Sequence, residues 1–274
     1  MKHMTLQRMR ALPNLVIVRY FFLTLLFLVL LCGSSVRAAD KKTSKNTLPF
    51  SPEEQLVYQI RWEMIEAGVA SFDVLPVKEV DQQPCRHFSL KVETSPLVDV
   101  FYKVRDKLDS YTDLALGRSI RYGKKQKGSE QRDILVQFNW EKRIARYSNF
   151  NADRKPITIP PGTFDPLAAF YKLRSMDLGD KKGIEFPITD GKKCFMGRAE
   201  VVGQETITCF NTTYDTYVIE PELVHFGGVF KKSDKPTLRL WITTDERRLP
   251  VRIRSKVIVG SIIGELVSVG HRSK

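Results

Sequence analysis

Apolar and polar positions alternate along most of this chain. Leu56, Tyr58, Ile60 and Trp62 alternate with Gln55, Gln59, Arg61 and Glu63, and only Val57 interrupts them. Successive side chains of a strand point to opposite faces, so the pattern predicts a half-buried strand. Ala70, Phe72 and Val74 repeat it after a turn at Glu66, Ala67 and Gly68, and Phe88, Leu90 and Val92 repeat it again. Ile134, Val136, Phe138 and Trp140 follow, with a reversal at residues 139–143 leading into Ile144, Tyr147 and Phe150. Further strands are expected at 200–207, 215–219, 238–242, 251–259 and 262–269, separated by turn signals such as Asp190-Gly191 and Asp245-Glu246. Ten or more short strands predict a mainly β, antiparallel fold, either a strongly curved sheet or an open or closed barrel of β-spiral type. The missing crossover helices disfavour a parallel α/β architecture.

One helix stands out within this pattern. Thr163-Phe164-Asp165-Pro166 offers a cap with proline at the first helical position, where its missing N–H costs nothing. Leu167, Phe170, Tyr171 and Arg174 then share one face at helical spacing. Such a helix caps or plugs a barrel, or closes over it as a mobile lid. Asp165, Tyr171 and Arg174 are its candidate cap and cleft residues. A second short helical turn is expected at residues 96–101.

The N-terminal region departs from the strand pattern. Residues 1–19 are basic and free of acids, residues 20–32 are almost wholly apolar, and Val36-Arg37-Ala38 fits a signal-peptidase site. This predicts an export signal at 1–38 with cleavage after Ala38. The alternatives are a retained anchor, for which the apolar run is short, and a lipid-modified Cys32, disfavoured by Leu31 before it. Residues 39–49 read as a flexible leader and 50–270 as a single β domain without internal repeats.

Composition adds little until the leader is set aside. The 274 residues are 42% hydrophobic and carry a net charge of +13, which resembles a nucleic-acid binder. Lys2, Arg8, Arg10, Arg19 and Arg37 belong to the export segment, leaving 39 basic and 31 acidic residues, or +8. Ten Lys/Arg against four acids concentrate at residues 121–155, where two hairpin tips are expected, and Arg252, Arg254 and Lys256 share one strand face. The tips serve solubility, or attract anionic lipid or lipopolysaccharide. No stacking aromatic motif accompanies the charge, so nucleic acid is disfavoured.

Chemistry is sparse. No phosphate-binding, dinucleotide-binding, zinc-protease or nucleophile-elbow motif occurs, and His87, His225 and His271 are isolated in sequence. No catalytic residue, metal ligand or cofactor is assigned. Cys85, Cys194 and Cys209 remain after the expected cleavage. In an oxidising compartment Cys194–Cys209 is the favoured disulfide, because the two flank one long strand region and its turn; three buried thiols are the alternative.

Several segments resemble a known family. Phe50-Ser-Pro-Glu-Glu-Gln-Leu-Val-Tyr58, Val98-Asp99-Val-Phe-Tyr102, Asp165-Pro-Leu-Ala-Ala-Phe-Tyr171, Gly227-Gly-Val-Phe230 and Trp241-Ile-Thr-Thr-Asp245 are similar to the bacterial domain-of-unknown-function family 3108. The likeness spans nearly all of residues 50–269. Asn139 stands where Asp is expected, and Cys209 where a turn glycine is usual. The resemblance implies an exported protein without established activity and no catalytic residues to carry over.

Two classes of function follow. In the first, a non-enzymatic envelope factor, periplasmic or at a membrane surface, binds an apolar or amphiphilic ligand or scaffolds envelope proteins. Tyr58, Ile60, Trp62, Phe88, Val136 and Phe138 would line its cavity, unless they fill a closed core. In the second, an envelope hydrolase acts on glycan or peptide through Asp99, Asp106, Asp165 or Asp245 with Arg174. The discriminating observations are spatial: a cavity of ligand size, or carboxylates converging in one cleft.

Overall fold

The computed structural model describes residues 48–179, 183–222, 237–256 and 260–271. The expected export signal, most of the leader, His225 and the Gly227–Phe230 motif lie outside the described residues. The described elements are β1 (Glu54–Trp62), β2 (Ile65–Val80), β3 (Gln83–Thr94), α1 (Pro96–Asp99), β4 (Arg105–Thr112), β5 (Ser119–Lys127), β6 (Gln131–Asn139) and β7 (Ile144–Asn149). They continue with β8 (Ala152–Asp153), β9 (Ile157–Thr158), α2 (Pro166–Arg174), β10 (Ile184–Thr189), β11 (Cys194–Cys209), β12 (Thr212–Pro221), β13 (Thr237–Thr243), β14 (Pro250–Lys256) and β15 (Ser261–His271).

All these strands belong to one antiparallel sheet, as the alternation requires. Its order is β10 to β15, then β1 to β8, with β9 also paired to β7. The first and last strands therefore pair in the middle, and β10 and β7–β9 are the two edges. The Val57 irregularity has a structural counterpart, a register shift between Val57 and Tyr58 opposite β15. Asn139 accepts from the Lys142 backbone N–H at 2.8 Å through its amide oxygen, which closes the β6–β7 turn as an aspartate would. Cys209 ends β11, and the left-handed residue of the following turn is Phe210 (φ 51°), not the cysteine.

The segment that leads into α2 joins the β10 edge to β5 in the other half of the sheet. The Ser119 N–H donates to the Thr163 carbonyl at 3.0 Å, while Phe164 exchanges bonds with Pro187 and Thr189 on β10. The β10–β11 turn also presses against the opposite wall. A Cβ on Gly191 (φ 85°) would lie 2.7 Å from Val136, so only glycine fits there.

Helix α2 crosses the enclosed space and fills it. Every one of its residues except Lys172 is buried. Tyr171 stacks on Phe88 with ring centroids 4.0 Å apart, Phe170 stacks on Phe72 at 4.7 Å, and Phe50 meets Tyr171 edge-on at 5.1 Å. The Asp165 side chain anchors the N-terminus. Its carboxylate accepts from the Leu167 and Ala168 N–H groups (both 3.0 Å) and from the Ser110 and Ser119 hydroxyls (2.7 and 2.5 Å). One residue thus caps the helix and ties it to β4 and β5.

The expected disulfide is corrected. Cys194 and Cys209 are the first and last residues of the 16-residue strand β11. At about 3.3 Å per residue they are on the order of 50 Å apart along it, whereas a disulfide needs Cα atoms within about 7 Å. Cys85, Cys194 and Cys209 are thiols, and burial pushes all three upward in pKa.

Replacing Asp165 by Ala leaves four donors without their acceptor in the interior. The expected loss is about 3 kcal/mol in urea unfolding. Asp165→Asn, which keeps one acceptor oxygen, should lose clearly less.

Candidate functional site

Among the described residues, the sequence-derived lining residues pack into the core. Tyr58, Ile60, Phe88, Val136 and Phe138 are core residues, and half-buried Trp62 packs against that core. The Tyr58 hydroxyl is itself used, donating to the Pro250 carbonyl at 2.5 Å. The internal void touching this set, between Tyr58, Ile60, Phe72 and Ile262, measures about 20 Å³. That accommodates one water molecule at most. Of the two alternatives, a lined cavity or a filled core, the described residues fit the second: the aromatic side chains of α2 pack against this set.

Space of ligand size lies at one end of the barrel, in an open cleft of about 790 Å³. Four segments distant in sequence form it: 48–51 before β1, 174–177 at the end of α2, 246–249 in the β13–β14 turn, and 269–271 at the end of β15. Leu48, Phe50, Met176 and Val269 supply apolar surface, while Arg247, Arg248, Asp177 and His271 supply polar and charged groups.

Arg174 forms the floor. It is fully buried, and its guanidinium pairs in bidentate fashion with Glu54, at 2.7 Å (Nη1–Oε1) and 3.2 Å (Nη2–Oε2). Its Nε donates to the Arg248 carbonyl at 3.0 Å and Nη2 to the Arg247 carbonyl at 3.2 Å. The rings of Phe50 and Tyr171 lie 5.2 and 5.7 Å from the guanidinium carbon. A buried arginine is tolerable only when paired and well hydrogen-bonded, and this one has a bidentate carboxylate and two carbonyls for four of its five N–H groups. It links α2 to β1 and fixes the β13–β14 turn. Arg174 is a structural floor, with little capacity left for a ligand.

The cleft rim retains that capacity. Arg248 lies over the Tyr217 ring at 5.6 Å and 3.6 Å from Asp177, and its Nη1 is buried without a hydrogen-bond partner. Arg247 is exposed and pairs with Asp245 at 2.7 Å. Of the three residues expected at a helix cap or cleft, only Arg174 reaches the cleft. Asp165 caps the other end of α2, and the Tyr171 oxygen is buried without a partner.

The four candidate acids do not converge. Asp99 is bonded by Thr94 and Arg105, which hold its carboxyl below the usual range, the Arg105 bond foremost. Asp106 faces the interior and accepts from the Gln126 amide at 2.7 Å. Asp165 is the cap described above. Asp245 accepts from Thr243 at 2.5 Å and from Arg247. None of the four lines the cleft. His87 lies 2.9 Å from Asp109, against the Tyr111 ring. Burial pushes the Asp109 carboxyl upward, but the His87 and Lys107 bonds prevail and hold it at about 2. No group of three or more potential metal-ligating side chains occurs among the described residues.

The basic stretch at 121–155 is not one patch. Lys125 and Lys127 are exposed on β5, Lys142 and Arg143 sit in the β6–β7 turn at the other end, and Lys124 points inward and is nearly fully buried. Burial pulls the Lys124 ammonium down to about 8, against the attraction of Asp106. Burial likewise raises Asp106. Gln126, two residues from Lys124 on the same inward face, has its Oε1 buried without a partner. No apolar alternation marks this polar layer in the sequence.

Comparison with known proteins agrees with the architecture. A family model described as "Protein of unknown function (DUF3108)" matches residues 57–267. Among solved structures, the chain is similar to a β-barrel-like protein of domain of unknown function DUF1849 from Brucella abortus. The TM-score is 0.54 at 10% identity, over 80% of this chain and 98% of that one. That likeness concerns the fold alone. No curated protein matches.

Two variants probe the buried charges. Arg174→Met alone leaves Glu54 buried without its partner and should cost about 3–5 kcal/mol. The Glu54→Met/Arg174→Met pair should recover most of that in a double-mutant cycle of urea unfolding. For Lys124, both folded and unfolded states are protonated below pH 8. Between about 8 and the ordinary lysine value of 10.5, the unfolded state binds more protons, so this group's contribution to stability rises with pH. Lys124→Met should therefore be more stable than the parent at pH 7, by up to about 3 kcal/mol less the loss of Asp106's counter-charge. That advantage should shrink above pH 8 and vanish by about 10.5 in parallel unfolding titrations of the two proteins.

Proposed function

The chain belongs to the DUF3108 family, and from that premise we propose that it is an exported cell-envelope protein that binds an amphiphilic ligand and performs no catalysis. The export assignment rests on the basic, apolar and small-residue sequence of residues 1–38. The binding assignment rests on one observation, the open end cleft of about 790 Å³ that sets apolar patches among polar and charged groups. That volume falls within the range of small-molecule sites.

The geometry favours a ligand with an apolar portion and a polar head. Phe50 and Met176 offer the first a surface. Arg247, exposed on the cleft rim, offers the second a guanidinium. The ion-paired floor keeps the cleft rigid without presenting a net charge. A hydrolytic reading has no comparable support, because its carboxylates are separately engaged as helix cap, turn bond or ion pair.

The probe is an anionic amphiphile, 8-anilinonaphthalene-1-sulfonate, added to the folded protein. Its fluorescence should rise saturably with the parent chain, and Met176→Asp should weaken binding by about tenfold. Equal binding by parent and variant, or none by the parent, overturns the cleft assignment. Independently, the exported protein should be recovered from the envelope fraction with an intact mass that begins at Ala39.

A further inference from the structure

We propose that the head of the amphiphile is a neutral sugar, held in a second pocket across the β13–β14 turn, so that the ligand is a glycolipid. This deepens the binding role given to the end cleft and rests on it. The second pocket measures about 310 Å³ and lies where β11, β12 and Thr244 meet. That volume is at the lower limit for small-molecule sites and suits one sugar ring.

The sheet builds this pocket from polar residues. Gln204 stands opposite Tyr217, and Thr206 opposite Asp215, on β11 and β12. Alternate residues of a strand share a face, so these four side chains project together. The Thr206 hydroxyl donates to Asp215 Oδ1 at 2.6 Å, which leaves Oδ2 open. Pairing between β12 and β13 starts at Thr216. Just before it, the Thr244 N–H donates to the Asp215 carbonyl at 2.9 Å and brings Thr244 into the lining. Glu205 points to the other face, where the Trp241 indole N–H donates to it at 2.7 Å.

The lining selects the ligand. It holds no lysine, no arginine and no aliphatic residue, so it suits neither an anion nor an alkyl chain. Asp215 and the Gln204 amide oxygen accept from hydroxyls, while the Gln204 amide N–H and the threonine hydroxyls donate to them. Closely spaced donors and acceptors on a carbon ring are the chemistry of a sugar, and Tyr217 adds a flat, partly apolar surface. A site built on such bonds rejects an analogue that lacks the hydroxyls.

Position couples this pocket to the cleft. Thr244 opens the turn whose residues 246–249 line the cleft. Arg248, a cleft residue, lies over the Tyr217 ring at 5.6 Å, so one stacked pair separates the two spaces. The turn between them is held firmly. Arg174 donates to its 247 and 248 carbonyls, and the Leu249 N–H donates to the Thr243 hydroxyl at 2.8 Å. A sugar in the polar pocket, with its chain across the turn against Phe50 and Met176, occupies both.

The test is isothermal titration calorimetry with octyl glucoside below its micellar concentration, against octanol and against glucose. The glucoside should bind about tenfold tighter than either. Gln204→Ala/Asp215→Ala should bring the glucoside down to the affinity of octanol and leave octanol unchanged. Both residues are exposed, so melting curves should not shift. Met176→Asp should weaken the two alkyl ligands alike. Equal binding of glucoside and octanol by the parent, or undiminished glucoside binding by Gln204→Ala/Asp215→Ala, overturns the sugar assignment while the cleft stands. Glucose binding as tightly as the glucoside also overturns it, because the pocket would then act without the cleft. Absence of binding by either alkyl ligand overturns both readings.

Discussion

A single antiparallel sheet encloses a core only if its two free edges are held together. Here β10 and β7 are not paired with each other among the described residues, and a short strap with one helix ties β10 to β5 instead. Residues 163–165 bond to β5 on one side and β10 on the other, and α2 then runs across the interior. Asp165 anchors its first turn to β4 and β5, and Arg174 anchors its last residue to β1 and the β13–β14 turn. Both anchors are buried charges, which are tolerable only with their partners in place. The curvature of the sheet, the filling of the core and the shape of the end cleft all depend on that crosslink.

Much of this was written in the sequence, and the exceptions have physical causes. Strands β1, β3, β6 and β15 carry apolar residues on their inward face, so alternation reveals them. Strands β4 and β5 turn Asp106, Ser110, Lys124 and Gln126 inward, and no apolar period marks them. Strand β10 contains Pro187, which normally argues against a strand. It is an edge, and that proline supplies a carbonyl to Phe164. The helix was readable because its cap, its proline and its apolar face are contiguous.

The candidate site was far less readable. Its four lining segments lie far apart along the chain, and only the sheet order brings β15 beside β1. Arg174 could be singled out, but not its partner Glu54, which is 120 positions away. Of the six residues expected to line a cavity, five are core residues and Trp62 packs half-buried against them. What could not be read was whether they enclosed space or packed against something. The stacking of Tyr171 on Phe88 and Phe170 on Phe72 answers it. The disulfide inference failed because one uninterrupted strand separates the two cysteines. With the interior occupied around these residues, the open space lies at one end, in a cleft with a rigid ionic floor.

The central claim is that α2 is part of the core rather than a lid over it. Native-state hydrogen exchange resolved by residue tests this most directly. The amides of Ala169 and its neighbours in α2 should exchange only through the same global opening as those of β1, β4 and β5. Exchange of the α2 amides through an opening several kcal/mol smaller, with the strands still protected, would contradict the account.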